Sequence, residues 1–129
     1  MPPKTETLHV NIVDDDDSVR QGLSRLMRSA GIDSHAYGNP ESFLADVHDE
    51  AHACILMDIT MPRMNGLELS ARLREKGITL PVIAISARDD DDTRKMARDL
   101  GVRFFLRKPV DDQALLDAIS WVVQEDARP

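Results

Sequence analysis

"ACILMDITMPRMNGLELSARLREKG", residues 53 to 77, decides the fold. From Ala53 to Met57 the segment is apolar without interruption, and a carboxylate, Asp58, ends it. A strand open to solvent on one face alternates polar and apolar, whereas one covered on both faces reads as a continuous apolar run. This strand is therefore expected at the centre of a sheet. After a turn-forming stretch, Gly66 to Gly77 reads as a helix stopped by glycine. The unit is strand, then helix.

The same unit recurs in both directions. Upstream, "LHVNIV" (Leu8 to Val13) suits a strand, and "SVRQGLSRLMRSAG" places Val19, Leu23, Leu26 and Ala30 on one helical stripe that Gly31 ends. A short strand, "IDSHAY", precedes "GNPESFLADV", in which Asn39 can cap a helix and Pro40 can take its first position. Downstream, Pro81 introduces "PVIAIS", a second buried strand ending at Ser86. A helix from about Asp91 to Leu100 groups Met96, Ala97 and Leu100, and Gly101 and the strand "RFFLR" follow. The last helix, from about Asp112 to Gln124, carries Leu115, Ala118, Ile119 and Val122.

Five such repeats imply an α/β fold, a doubly wound parallel sheet of five strands with helices on both faces and right-handed crossovers. They are too few for a closed barrel of eight. One domain is expected over residues 8–124, with 1–7 and 125–129 as flexible ends.

The 129 residues are 42% hydrophobic and 30% charged, which excludes both a disordered chain and a membrane chain. No stretch is long enough for a signal peptide or a membrane span, and Cys54, the single cysteine, has no disulfide partner within the chain, so a cytoplasmic location is expected. A net charge of -7 with dispersed basic residues argues against direct nucleic-acid binding by this segment.

In a doubly wound sheet the chemistry sits beyond the carboxyl ends of the strands. The residues expected there are Asp14 and Asp15, Asp58, Ser86 and Lys108: three carboxylates, a hydroxyl and an ammonium. Clustered carboxylates raise one another's pKa values unless a cation compensates. Magnesium suits all-oxygen donors beside phosphate. A remaining carboxylate can then attack a phosphoryl group, with Lys108 neutralising its oxygens and Ser86 donating to one of them. Spacing alone leaves open which carboxylate is the acceptor.

The segments "IVDDDD", "ILMDITMPRMNGLEL", "VIAISA" and "FLRKPV", in this order, resemble the receiver domain of bacterial two-component response regulators from about His9 to Val123. The resemblance implies a flavodoxin-like (βα)5 fold with strand order 2-1-3-4-5. It implies Asp58 as the phosphoacceptor and Mg2+ (or Mn2+) as the cofactor, with Asp15 and Asp58 as ligands, Asp14 acting mainly through water, and the backbone carbonyl of Thr60 completing the set. Ser86 corresponds to the switch hydroxyl and Phe105 to the switch aromatic, and Lys108, before a cis Pro109, contacts the phosphoryl group. The implied partners are a cognate histidine kinase, a second copy in a phosphorylation-dependent homodimer and, if the chain is the amino-terminal piece of a longer regulator and not a stand-alone one, a carboxy-terminal output domain. A helix-turn-helix, DNA-binding output is the expected kind.

Other features read more plainly. Asp16 and Asp17 suit a solvated helix start, and Asp89 to Asp92 a charged loop. His48 and His52, four apart at a helix end and loop, do not make a metal pair, and His9 and His35 show no partner in the sequence. Trp121 falls off the apolar stripe of the last helix and is expected to be partly exposed. Two other functions compete. A phosphohydrolase with an aspartate nucleophile would carry its "DxDx" signature after the first strand, not the third, and a receiver-like module that never uses phosphate would not need the five polar groups. An EF-hand loop fails, since "DDDDSVRQGLSR" lacks the glycine and glutamate at its sixth and twelfth positions.

Overall fold

In a computed structural model, which describes residues 8–62 and 65–126, strands and helices alternate along the chain. They are β1 (His9–Val13), α1 (Asp17–Ser29), β2 (Asp33–Tyr37), α2 (Pro40–Asp46), β3 (Ala53–Asp58), α3 (Gly66–Glu75), β4 (Val82–Ser86), α4 (Asp91–Leu100), β5 (Phe104–Arg107) and α5 (Asp112–Asp126). All strand pairs are parallel, in the order β2-β1-β3-β4-β5. The expected architecture and strand order are both found.

Every residue of β3 is buried. Its alternate side chains feed two cores: Ile55 and Met57 join Phe43, Leu69, Leu73 and Ala97 on one face, while Cys54 and Leu56 join Met27, Leu115 and Ile119 on the other. The period of two is present in space but hidden in the sequence, because both faces are apolar. Burial lifts the Cys54 thiol to about 12, so it packs as an inert hydrophobe.

Local signals place the helix ends. Asn39 caps α2 through a 2.8 Å bond from Ser42 N, with Pro40 in the first turn. Gly31, Gly77 and Gly101 take φ of 75°, 74° and 76°, the left-handed geometry that ends a helix without a Cβ clash. The stripe expected on α1 needs one correction. Met27 is its fully buried member, whereas Ala30 is exposed, because the helix ends at Ser29 and Ala30 has already left helical geometry. Helix α5 continues past Gln124 to Asp126. Of the expected flexible ends, 1–7 and 125–129, residues 125 and 126 instead belong to α5, and 1–7 and 127–129 lie outside the described residues. Among the described residues no helix is long and apolar enough to cross a membrane.

Candidate phosphoacceptor and metal site

Four of the five strands deliver a polar group to the carboxyl edge of the sheet. Asp14 follows β1 directly, Asp58 is the last residue of β3, and Ser86 the last of β4. Lys108 follows β5, and its peptide bond to Pro109 is cis.

Oxygens of Asp14, Asp15 and Asp58 lie within 4.8 Å of one another, with Asp14 and Asp58 buried and Asp15 exposed. Lys108 Nζ donates to Asp14 Oδ2 at 2.9 Å and to Asp58 Oδ2 at 3.1 Å. The other oxygen of Asp58 accepts from Thr60 N at 2.8 Å and from the Thr60 hydroxyl at 2.6 Å. Asp58 is thus held at both oxygens, by a cation on one side and by the turn after its own strand on the other. The second oxygen of Asp14 accepts from Asp16 N at 2.9 Å, which folds the chain back from β1 into α1.

Electrostatics follow from these contacts. Burial raises the Asp14 carboxyl above its usual range, against the lowering effect of the bonds from Asp16 and Lys108. For Lys108, burial works towards a lower pKa, but hydrogen bonds and attraction to the two carboxylates outweigh it and the ammonium is stabilised. Both shifts are upward, from different causes. A single cation is shared between two buried acids, which suffices for the cation and not for Asp14.

Three carboxylates around one ammonium leave a net negative cavity lined by hard oxygen donors. This donor set fits a magnesium-class cation held by Asp15 at the solvent side and by Asp14 and Asp58 beneath it. Thr60 is at the site, and the contacts that its N–H and hydroxyl make are to Asp58.

Ser86 is fully buried, and its hydroxyl oxygen accepts from Arg88 N at 2.9 Å. No hydrogen bond joins Ser86 to Asp58 among the described residues. Phe105 is half-buried against the core beneath α4, with the Arg94 guanidinium 5.7 Å from its ring centre. Asp89 ties this region together by pairing with Arg94 at 2.6 Å and with Arg107 at 3.6 Å.

The remaining acidic residues separate by role. Asp16 caps α1, accepting from Ser18 N at 2.8 Å and Val19 N at 3.2 Å. Asp17 pairs with Arg20, whose guanidinium also reaches the Asp14 carbonyl at 2.7 Å. Asp90 caps α4 through Thr93.

Sequence reasoning missed two features. The Thr60 side chain anchors Asp58, a contact set by the turn geometry and not by residue type. His9 and His35, expected to lack partners, are partners of each other: their ring nitrogens lie 3.1 Å apart across β1 and β2. Nothing in a linear sequence marks two residues on adjacent parallel strands as neighbours. Trp121 is 50% exposed, with its ring edge-on to Phe104 at 5.5 Å.

Residues 10–120 match the family model described as the response regulator receiver domain. The response regulator protein TodT of Pseudomonas putida is 36% identical over 110 residues, covering 85% of this chain and 48% of TodT. The transcriptional regulatory protein FixJ of Azorhizobium caulinodans is 34% identical, covering 95% of this chain and 62% of FixJ. The chain spans about half to three fifths of the length of these curated relatives. Among solved structures, the response regulator StyR superposes with a TM-score of 0.78 at 37% identity, covering 95% of this chain and 62% of StyR. The amino-terminal part of FixJ superposes with a TM-score of 0.80 at 29% identity, covering 93% of this chain and 96% of that one.

Proposed function

The chain belongs to the response regulator receiver family, whose members are phosphoacceptor signalling domains and not enzymes that turn over a separate metabolite, and we propose that Asp58 is its phosphoacceptor. The observation that carries this reading is the position of Asp58: buried at the end of the central strand, held at one oxygen by Thr60 and at the other by Lys108.

The donor is the phosphohistidine of a cognate histidine kinase or a small phosphodonor. An Asp58 oxygen attacks phosphorus, a P–O bond forms, and the P–N bond breaks with its electron pair leaving on the imidazole nitrogen. Asp15, Asp14, Asp58 and the Thr60 carbonyl hold Mg2+ (Mn2+ in its place), which supplies neutralisation of the phosphoryl oxygens. Lys108 adds a second positive group beside Asp58. Water attack on the acyl phosphate returns the domain to its starting state.

The switch runs through Ser86 and Phe105. Drawing the Ser86 hydroxyl towards a phosphoryl oxygen breaks its bond with Arg88 N and shifts the loop that leads into α4. The face built by α4, β5 and α5 then changes its preference for a second copy or an output domain. The relatives' names, among them a transcriptional regulatory protein, support transcription as the output.

Intact-mass measurement after incubation with Mg2+ and acetyl phosphate tests this reading. One phosphoryl addition that is absent from Asp58→Asn supports it; addition that persists in the variant overturns the assignment.

A further inference from the structure

We propose that His9, His35, His48 and Glu50 form a second cation site, for a single divalent transition metal of the zinc class, at the end of the sheet opposite Asp58. The proposal stands apart from the phosphorylation reading.

A groove of about 470 Å³ is lined by residues of β1, β2, the end of α2 and the loop that follows it. His9 and Asp14 are five positions apart along β1, or roughly 16 Å at strand spacing. His9 is therefore well separated from the carboxylate cluster.

Two imidazoles meet in it from adjacent strands. His9 Nε2 and His35 Nδ1 are 3.1 Å apart, with ring centres at 4.8 Å and planes tilted by 50°. Two nitrogens on one tetrahedral zinc, each at about 2.0–2.1 Å, are about 3.3–3.4 Å apart. The strands already set that separation to within a few tenths of an ångström. Without metal, a shared proton joins the rings; with it, both nitrogens turn lone pairs to the same cation.

Glu50 completes the cluster from the loop after α2. Its Oε2 is 4.0 Å from His9 Nε2 and 4.0 Å from His48 Nε2, so the carboxylate stands between a strand imidazole and a loop imidazole. Bringing all four donors into one shell requires the loop side chains to rotate towards the imidazole pair, and His48 is 77% exposed.

The backbone of that loop is already fixed at two points. Asp49, between the two donors, accepts from Thr79 N at 2.6 Å and from the Thr79 hydroxyl, and the His52 carbonyl accepts from His9 N at 2.9 Å. His48 and Glu50, on either side of Asp49, line the groove with His9 and His35.

Donor chemistry separates this site from the first. Imidazole nitrogens with one carboxylate select zinc, nickel or copper, whereas the all-oxygen cluster of Asp14, Asp15 and Asp58 selects magnesium. The two sites can be filled independently.

The test is a calorimetric Zn2+ titration of the intact chain in saturating Mg2+, which occupies the carboxylate cluster, with Co2+ absorption as a report on geometry. One equivalent of Zn2+, Co2+ bands of a four-coordinate site, and affinity reduced by roughly tenfold or more in both His35→Ala and His48→Ala are expected, with Asp58→Asn unaffected. His48 is exposed on a loop, so that variant keeps the measurement valid even if His35→Ala were unstable. Three results would overturn the proposal: no Zn2+ uptake in saturating Mg2+, uptake unchanged by the histidine substitutions, or uptake lost in Asp58→Asn.

Discussion

Lys108 Nζ stands 3.1 Å from Asp58 Oδ2, although fifty residues separate the two in sequence. The ammonium also donates to Asp14 Oδ2 at 2.9 Å, so it partly neutralises two of the three carboxylates that would hold a metal ion. A bound metal ion would share these ligands with Lys108 and be repelled by it.

Replacing Lys108 by methionine should therefore tighten Mg2+ binding, by roughly three- to tenfold at the effective dielectric of a half-buried site. Calorimetric titration of wild type and Lys108→Met gives the comparison. An unchanged or weaker affinity in the variant would mean that Lys108 does not face the metal.

Tyr37 offers a separate pH test, because it is the only tyrosine in the chain. Burial, together with a 2.6 Å hydrogen bond to Asp46, pushes its phenol up to about 12. A group whose pKa is raised on folding contributes stability in full below its unfolded pKa, and that contribution disappears as pH climbs through the folded value. Wild type should lose stability relative to Tyr37→Phe between about pH 10 and pH 12. Ultraviolet titration of the phenolate should show the raised midpoint directly. A midpoint near 10 would contradict the hydrogen bond to Asp46.

Two glycine-to-alanine substitutions should have opposite signs. At Gly66 a Cβ would lie 2.7 Å from the Met96 carbonyl oxygen, so α3 and α4 would have to move apart, at about 1–3 kcal/mol. At Gly22, in the exposed interior of α1, a Cβ meets nothing within 4 Å, and alanine should stabilise by about 0.5–1 kcal/mol. Urea midpoints measure both. Equal signs would show that α3 and α4 can move apart at Gly66 without cost.

These contrasts mark what a linear sequence can carry. The order of strands and helices was legible because each element carries its own period and its own stop signal, such as Asn39 before α2 or Gly101 after α4. Asp14, Asp58, Ser86 and Lys108 were legible as a group because a polar residue ending an apolar strand has one place to go. The hydroxyl bond from Thr60 to Asp58 and the pairing of His9 with His35 were not, since each depends on where a turn or a neighbouring strand puts a side chain. The tight approach of Gly66 to Met96 belongs to the same class, because helix separation is a property of packing and not of composition.

Asp15 and Asp16 are adjacent, alike in charge and both exposed, yet they should separate cleanly in experiment. Asp16 accepts from Ser18 N and Val19 N at the start of α1, and alanine in its place should lower stability by about 1 kcal/mol. Its effect on Mg2+ affinity should be small, because its carboxylate is not in the cluster of Asp14, Asp15 and Asp58. Asp15→Asn should do the reverse. Removing one of three mutually repelling carboxylates should leave metal-free stability unchanged or slightly raised, while weakening Mg2+ binding by roughly tenfold or more. Chemical denaturation in chelator, paired with Mg2+ titration of each variant, makes the comparison. If both substitutions lowered stability and left Mg2+ affinity intact, the pair would be a helix start alone and the cation site would have to be sought without Asp15.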